Sequence, residues 1–129
     1  MTQRELPRPT DAELMILSVL WDRGPSTVRQ VHRAINAKRP TRPTTTLKLM
    51  QIMTDKGLLL RDDSDRPHVY RPAFPREKTQ RQLLRDLLEK AFYGSAGSLV
   101  LRALALKKPS AREREEIRKL LNEVEGNKQ

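Results

Sequence analysis

The sequence predicts a mainly α-helical protein with one small β-hairpin, divided into two domains. Three observations predict this: helix-start signals recur along the chain, two short apolar runs flank a charged turn after Gly57, and Pro72 and Pro75 separate the halves. A chain of 129 residues has the length of one domain, or of one small domain with an appendage. We therefore expect an N-terminal domain over residues 1–75 and a C-terminal domain over residues 76–129.

The first two helices are marked by their starting residues. The segments 10–13 and 27–30 both fit the S/T-x-x-E/Q capping box, in which the hydroxyl and the third residue's side chain each satisfy a backbone N–H group. The first helix is expected to end at Gly24-Pro25, because glycine and proline close helices. The second is expected to end before Pro40, which breaks the chain.

A third helix is predicted from Pro43 to Lys56, with Gly57 as its stop signal. A step of 100° per residue around Met50, taken as the centre of the buried face, separates inward from outward side chains. The inward group is Thr46, Leu47, Met50, Met53 and Thr54. The outward group is Thr44, Thr45, Lys48, Gln51 and Ile52.

Two short strands are predicted after the third helix. They cover Leu58–Arg61 and His68–Arg71, on either side of the turn Asp62–Pro67. The resulting order of helix, helix, helix, strand, turn and strand is that of a winged helix-turn-helix domain. In a helix-turn-helix, the N-terminal residues of the second helix of the motif contact base edges in the DNA major groove.

The predicted third helix carries residue types that can contact DNA bases. The hydroxyls of Thr44 and Thr45 can bond bases or phosphates, and their methyl groups can contact the thymine methyl. Lys48 is suited to guanine and Gln51 to adenine, although an exposed helix lysine can also be merely solvated. Ile52 either contacts a thymine methyl or packs on the preceding helix.

The predicted wing adds two cationic side chains. Arg66 and His68 flank its turn, where a cation can reach a phosphate or the minor groove. The sequence alone does not distinguish such a contact from a turn residue that is simply solvated. Three aspartates in and beside this turn make the wing a secondary contact. The predicted DNA-binding residues are therefore Arg42, Thr44, Thr45, Lys48, Gln51, Ile52, Arg66 and His68.

The charge distribution favours a polyanionic partner. The formal net charge is +10, and residues 1–75 and 76–129 each hold thirteen basic and eight acidic residues, so the excess is not confined to a tail. No Asp or Glu occurs between Asp22 and Asp55. The basic residues of that window are Arg23, Arg29, Arg33, Lys38, Arg39, Arg42 and Lys48. A basic window of the sequence without acids indicates nucleic acid more strongly than the total charge does.

Leucine-rich helices are predicted after the boundary. One stripe runs from Leu83 to Phe92, a nearly all-apolar segment starts at Ser98, and a third capping box starts at Ser110. Three short helices cannot bury this much leucine among themselves. We expect a second copy of the chain to cover it, in preference to packing on the N-terminal domain. The predicted dimerisation residues are Leu84, Leu87, Leu88, Phe92, Leu99, Leu101, Leu104, Ile117, Leu120 and Leu121.

Several classes of site are unsupported by the sequence. Cysteine is absent, which excludes disulfides, thiolate metal ligands and cysteine nucleophiles. His32 and His68 lie in different elements without a ligand-like cluster, so we expect no metal site, no cofactor and no enzymatic activity. The sequence has no apolar run of about 20 residues and no secretory signal, so a soluble, cytoplasmic protein is expected.

Four segments resemble the penicillinase and methicillin-resistance repressors and their copper-responsive relatives (BlaI/MecI/CopY type). "PTDAELMILSVLWDRGPSTVRQV" is similar to the first two helices of that family, "TTTLKLMQIMTDKGLL" to its recognition helix and "HVYRPA" to its returning wing strand. "LLEKAFYGSAGSLVLRALA" resembles its C-terminal signature. The resemblance covers nearly the whole chain, and all four segments occur in the family's order.

The resemblance implies a homodimeric repressor that binds a palindromic operator in double-stranded DNA and dimerises through its C-terminal helices. It also implies induction by a membrane-bound sensor protease that triggers cleavage in the C-terminal region, at Arg102-Ala103. The chain departs from the family there, where Asn-Phe is usual, and at Ile52, where Arg is frequent. It also lacks the cysteine-rich tail of the copper-responsive members, which excludes copper sensing by that device.

Two other classes of function compete with a DNA-binding repressor. The first is a winged-helix module that binds an acidic protein through its basic face. The second is a regulator that senses a small molecule, although the sequence specifies no ligand pocket. A steep fall of affinity with salt distinguishes DNA binding through several phosphates from the protein–protein alternative.

Overall fold

The structure of this protein, a computed structural model that describes residues 6–126, begins with three helices and a small sheet. These elements are α1 (Asp11–Arg23), α2 (Val28–Lys38), α3 (Pro43–Lys56), β1 (Leu59–Asp62) and β2 (Val69–Pro72). The helices that follow are α4 (Arg76–Ala91), α5 (Ala96–Leu106) and α6 (Ala111–Gly126). The predicted fold class, mainly α with a small β wing, is confirmed.

The chain divides into two compact units, Met1–Leu84 and Arg85–Gln129. The division falls inside α4, whereas the prolines of the sequence suggest a boundary before this helix. No glycine or proline interrupts α4 between its first and last residues. The first half of α4 therefore belongs with the elements that precede it.

The three capping boxes predicted from the sequence are all formed. In α1, the backbone N–H of Thr10 donates to Glu13 Oε1 at 2.9 Å, and the N–H of Glu13 donates back to the Thr10 hydroxyl at 3.2 Å. The same reciprocal pair joins Thr27 to Gln30 before α2, and Ser110 to Glu113 before α6. Each box satisfies N–H groups that the first turn of a helix leaves without a partner.

The first unit has one apolar core, built from α1, α2, α3 and the hairpin with the residue before it. Its buried side chains are Ile16, Leu17, Val19, Leu20, Val31, Ile35, Met50, Met53, Leu58, Leu59 and Tyr70. Met50 and Met53 of α3 have no exposed surface. Burial of a side chain of this size contributes roughly 1.5–3 kcal/mol, so the inner face of α3 fixes this helix on the core.

The buried face of α3 is rotated from the predicted one. Leu47 was expected to point inward, but 41% of its surface is exposed. Leu49, which the prediction left out of the inward group, is half-buried and packs against the core instead. The buried stripe is centred between Met50 and Met53 rather than on Met50, because the core contacts this flank of the helix.

The hairpin is antiparallel, with Leu60 opposite Arg71, and both strands start one residue later than predicted. Tyr70 of β2 buries its ring in the core and exchanges two backbone hydrogen bonds with Ser26, at 3.0 and 2.8 Å. Ser26 lies in the turn between α1 and α2, so this pairing ties that turn to the hairpin. The sequence did not predict this pairing.

The second unit has no buried side chain among its described residues, which run from Arg85 to Gly126. Its apolar side chains are exposed or half-buried on α4, α5 and α6. Tyr93 and Gly94, with φ of 50° and 82°, form the turn that ends α4, and the hydroxyl of Ser95 then caps α5. The individual helices are well formed, but the unit lacks a core of its own.

Among residues 6–84, one charged side chain is buried. Glu13, at the start of α1, is 3% exposed and accepts a hydrogen bond from Lys56 Nζ at 2.7 Å, which links the start of α1 to the end of α3. Lys56 also donates to the Arg8 carbonyl. Burial raises the pKa of Glu13, but the hydrogen bonds from Lys56 and Thr10 and the charge of Lys56 together lower it by more. The pKa of Glu13 therefore lies below its ordinary value.

We expect the Glu13–Lys56 pair to make stability depend on pH under acid conditions. Because the pKa of Glu13 is lower in the folded than in the unfolded chain, its stabilisation is complete above the ordinary glutamate pKa of about 4.3. The stabilisation is lost as the pH falls through the lower, folded value. Urea unfolding between about pH 7 and pH 3 measures this change as a decrease in the free energy of unfolding.

The variant Glu13→Gln is expected to flatten this part of the pH profile. At neutral pH it should lower the free energy of unfolding by about 1.5 kcal/mol, the low end for a charged hydrogen bond, because the Lys56 side chain is 34% exposed. Glu123→Gln, on the exposed face of α6, is the matched control and should leave the profile unchanged. An acid transition that is the same in wild type and Glu13→Gln would show that this pair contributes nothing.

Candidate nucleic-acid interface

The outer face of α3 gathers most of the residues predicted to contact DNA. Thr44, Thr45, Lys48, Gln51 and Ile52 are all exposed, as the helical spacing predicted. Residues three or four positions apart adjoin on a helix surface, so Lys48 lies at the centre of this group. Ile52 is 39% exposed, so packing on α2 does not remove it from solvent. Together these five side chains form one continuous surface.

Leu47 belongs to the same surface, although the sequence placed it in the core. It lies three residues after Thr44 and four before Gln51, on the row between them. Its exposed apolar side chain is of the type that contacts the thymine methyl. The sequence offered no clear signal for this residue, because leucine at the edge of a buried stripe normally turns inward.

The N-terminus of α3 is open to an anion. Pro43 occupies the first position, and Arg42 before it has an extended backbone and provides no side-chain hydrogen bond to the helix. The first turn contains no acidic residue. A helix N-terminus carries partial positive charge and unpaired N–H groups, which favour phosphate. The exposed side chain of Arg42 adds a full positive charge at the same place.

The turn that leads into α3 is held by three hydrogen bonds around Thr41. His32 Nε2 donates to the Thr41 carbonyl at 2.8 Å, and the Thr41 N–H donates to Asn36 Oδ1 at 2.9 Å. The Thr41 hydroxyl donates to the carbonyl of Arg39. These bonds fix the position at which α3 begins. His32 thus has a positioning role that sequence reasoning missed, because no motif marks a contact between residues nine positions apart.

The basic window of the sequence is exposed on α1, α2, α3 and the turn between α2 and α3. Within residues 6–126, none of its seven side chains forms an ion pair or a side-chain hydrogen bond: Arg23, Arg29, Arg33, Lys38, Arg39, Arg42 and Lys48. Cations without acidic partners keep their full charge for an external anion. This surface is therefore electrostatically suited to a phosphate backbone.

The cations of the wing differ in their surroundings. Arg61 Nε lies 2.6 Å from Asp63 Oδ1, and His68 Nδ1 lies 3.6 Å from the same oxygen. The half-buried His68 is thus directed toward Asp63. Arg66 is exposed and has no hydrogen bond or ion pair with any residue that the structure describes. Of the two predicted wing residues, Arg66 is the one whose charge is available to a ligand.

The tip of the wing also retains negative charge. Asp62 Oδ1 accepts hydrogen bonds from the backbone N–H and the hydroxyl of Ser64, at 2.9 and 2.6 Å. These bonds hold the pKa of Asp62 below its ordinary value, because they stabilise the ionised carboxylate. A fixed negative charge opposes close contact with phosphate. The wing is therefore less suited to a phosphate backbone than the N-terminus of α3.

The predicted dimerisation residues belong almost entirely to the second unit and are accessible. The exposed members are Leu84, Leu87, Leu101, Leu104, Leu120 and Leu121, and the half-buried members are Leu88, Phe92, Leu99 and Ile117. An open cleft of about 780 Å³ lies between α5 and α6, with Leu104, Ile117 and Leu120 in its wall. Arg102 and Ala103 are exposed in the middle of α5.

Residues 6–126 contain no group of three or more His, Asp or Glu side chains arranged to hold a metal ion. None of the helices in this part of the chain is long and apolar enough to cross a membrane.

The helix-turn-helix of α2 and α3, the preceding α1 and the antiparallel hairpin define a winged-helix protein. A family model described as "Penicillinase repressor" matches residues 9–123. The chain belongs to this family, as the four sequence segments predicted. Its fold is that of a winged helix, and its family is one of repressors rather than enzymes.

Known relatives agree with this assignment. "Transcriptional regulator BlaI" of Mycobacterium tuberculosis, in the strains CDC 1551 / Oshkosh and ATCC 25618 / H37Rv, is 38% identical over 88 residues. The match covers 67% of this chain and 64% of the relatives, which is less than two thirds of their length.

Solved structures are similar in fold. The solution structure of the DNA-binding domain of the repressor BlaI has a TM-score of 0.51 at 23% identity, over 57% of this chain and 90% of that one. A MarR family protein from Bacillus stearothermophilus has a TM-score of 0.50 at 20% identity, over 92% of this chain and 74% of that one. These two likenesses concern the fold alone, and they agree with the winged helix described above.

Proposed function

We propose that the protein is a cytoplasmic repressor that binds a palindromic DNA operator as a homodimer and is inactivated by proteolysis in its second unit. The observation that carries the DNA-binding part is the set of seven exposed basic side chains from Arg23 to Lys48, none of which is paired within residues 6–126. A bound repressor covers its operator and so blocks transcription. The relatives' name, transcriptional regulator BlaI, supports the same class of function.

The proposed contacts divide into two groups. Thr44, Thr45, Lys48, Gln51 and Ile52 face base edges in the major groove, where hydroxyl, ammonium, amide and apolar groups each favour different bases. Of the remaining predicted residues, Arg42 and Arg66 bind the backbone or the minor groove, whereas His68 is directed toward Asp63 and is the weaker candidate. Base contacts give sequence preference, whereas phosphate contacts position the protein and account for most of the salt dependence.

Variants of α3 test the proposed reading surface. Thr45→Ala and Gln51→Ala are expected to change the preferred base at one position each, by about 1–3 kcal/mol. Lys48→Ala is expected to have one of two effects. It either changes the preferred base at one position, or it weakens binding to all DNA sequences evenly and lowers the slope of log affinity against log salt by about one. Operator sequences are selected from a random duplex library, and affinities for selected and random DNA are then compared at several salt concentrations.

Lys78→Ala, an exposed lysine at the start of α4, is the charge-matched control and should leave sequence preference unchanged. If all three α3 variants bind selected and random DNA as the wild type does, α3 is not the reading helix. A salt slope near zero in the wild type would instead favour the acidic-protein alternative.

Homodimerisation is proposed from the lack of a core in the second unit. No side chain is buried among described residues 85–126, and Leu101, Leu120 and Leu121 are each more than half exposed. An apolar surface of this extent is unfavourable in water and marks a protein interface. A second copy carries the same surface, and a twofold interface pairs identical patches. A dimer also places two reading helices on two half-sites, which matches a palindrome.

Charged substitutions at exposed leucines test the dimer without disturbing the monomer. Leu101→Glu and Leu120→Glu place a charge where the single chain is 70% and 60% exposed, so folding should be unaffected while association is lost. Sedimentation at about 20 μM should find a dimeric wild type and monomeric variants, because a standard interface holds in this range. Arg112→Glu, on an exposed side chain outside the predicted interface, is the control. A monomeric wild type would contradict the proposal.

Proteolytic inactivation is proposed at α5. The bond between Arg102 and Ala103 lies in α5 between two exposed residues, and cutting there separates α6 from the DNA-binding unit. An intact helix protects its backbone, so cleavage requires α5 to open locally. The proposed agent is the membrane-bound sensor protease that the family resemblance implies. Loss of the dimer would convert one tight binding event into two weak ones.

A chain truncated after Leu101 reproduces the proposed product. It is expected to be monomeric and to bind a single half-site like the wild type, while its affinity for the full palindrome falls by at least about 100-fold. A chain ending at Gly126 is the control. If the chain truncated after Leu101 remains dimeric with unchanged operator affinity, cleavage in α5 cannot inactivate the repressor.

A further inference from the structure

The end of α1 is joined to the start of α4 by three contacts. Trp21 Nε1–H donates to the Phe74 carbonyl at 3.1 Å. The guanidinium of Arg76 lies 5.6 Å from the centre of the Trp21 ring, within the range of a cation–π interaction, and it forms an ion pair with Asp22. We call Trp21, Asp22 and Arg76, with the Phe74 carbonyl, the α1–α4 clamp.

The next turns of α4 are also fixed to the first unit. Thr79 is 4% exposed, and the Gln82 amide donates to the carbonyl of Leu6. Arg76, Thr79 and Gln82 are three residues apart, so they lie along one face of the helix. The first two turns of α4 therefore contact the rest of the first unit at more than one residue.

The same helix then continues without a break. α4 runs to Ala91 with no glycine or proline, and its later turns carry Leu84, Leu87 and Leu88 of the proposed dimer interface. A flexible linker between a DNA-binding unit and a dimer interface leaves the distance between two reading helices loosely defined. Here the residues that follow the α1–α4 clamp are joined to it by a continuous helix.

We propose that Trp21, Asp22 and Arg76 are positioning residues that determine which spacing of operator half-sites the repressor accepts. The inference rests on the proposed function, because spacing has meaning only for a dimer on two half-sites. None of the three residues belongs to the surface proposed to contact DNA. They act on α4, and thereby on the separation of the two copies of α3, which has to match the helical repeat of DNA.

The energy of the clamp limits the effect that it can have. An operator with a wrong spacing is accommodated either by straining the DNA or by opening the clamp in each copy. For the wild type, the loss of binding free energy on an operator with a wrong spacing therefore cannot exceed the free energy of the clamp contacts. One exposed ion pair and one cation–π contact predict that loss of Arg76 reduces the discrimination between spacings about fivefold.

The experiment compares wild type, Arg76→Gln and Asp22→Asn on a set of duplexes at one salt concentration. The set contains a single half-site and palindromes in which the spacer is the selected one, or is longer or shorter by one or two base pairs. Arg81→Gln is the matched control, since Arg81 is exposed on α4 and forms no hydrogen bond or ion pair within residues 6–126. Trp21→Phe removes the hydrogen bond to Phe74 and keeps an aromatic ring beneath Arg76.

The proposal predicts that all variants bind the single half-site as the wild type does. Arg76→Gln and Asp22→Asn should lose affinity for the optimal palindrome and bind the altered spacings relatively better, whereas Arg81→Gln should match the wild type. A role in stability alone would lower the free energy of unfolding and leave the ratio of affinities between spacings unchanged. Because Arg76 and Asp22 are surface residues, 39% and 66% exposed, these variants should fold.

Two results would overturn the proposal, and they differ from each other. If the wild type prefers one spacing and the clamp variants keep the same discrimination, the clamp does not set spacing, although the proposed function stands. If the wild type binds a palindrome no better than a single half-site, the proposed dimeric repressor fails, and the spacing proposal fails with it.

Discussion

The position of α3 on the core of the first unit is the constraint on which the remaining features depend. Its inner face is fixed by Met50 and Met53, which are fully buried. Its C-terminal end is held by the ion pair between Lys56 and Glu13, and the turn before its N-terminal end by the hydrogen bonds around Thr41. A helix held at three places can present its outer face in one orientation, which sequence-specific contact with base edges requires.

Local sequence signals predicted much of this architecture. The capping boxes and the stops at Gly24 and Gly57 depend on residues within one or two turns, and the structure forms all of them. The features that were missed depend on contacts between distant residues. Tyr70 pairs with Ser26, and Leu47 is exposed because the core contacts α3 on the flank of Leu49. No local pattern reports which flank of a helix its neighbours contact.

In the candidate site, too, local patterns predicted some features and missed those that depend on contacts between distant residues. Helical periodicity identified Thr44, Thr45, Lys48, Gln51 and Ile52 as outward residues of α3, but it placed the exposed Leu47 in the core. The sequence could not predict that His68 is directed toward Asp63 while Arg66 stays exposed, since this depends on the position of Asp63 in the folded hairpin. The second unit is a different case. Its excess of leucine was visible in the sequence, and the structure adds that α5 and α6 bury none of it in a single chain.

The chain contains one tryptophan, and it lies at the junction between α1 and α4. Indole emission responds to the hydrogen bonding of its N–H group and to charges beside its ring. Here the hydrogen-bond acceptor is the carbonyl of Phe74, two residues before α4, and the charge is that of Arg76 at the start of α4. The intrinsic fluorescence of the unlabelled protein therefore reports on a single junction. Its changes can be followed in real time, without introducing a dye, while DNA or a protease is added.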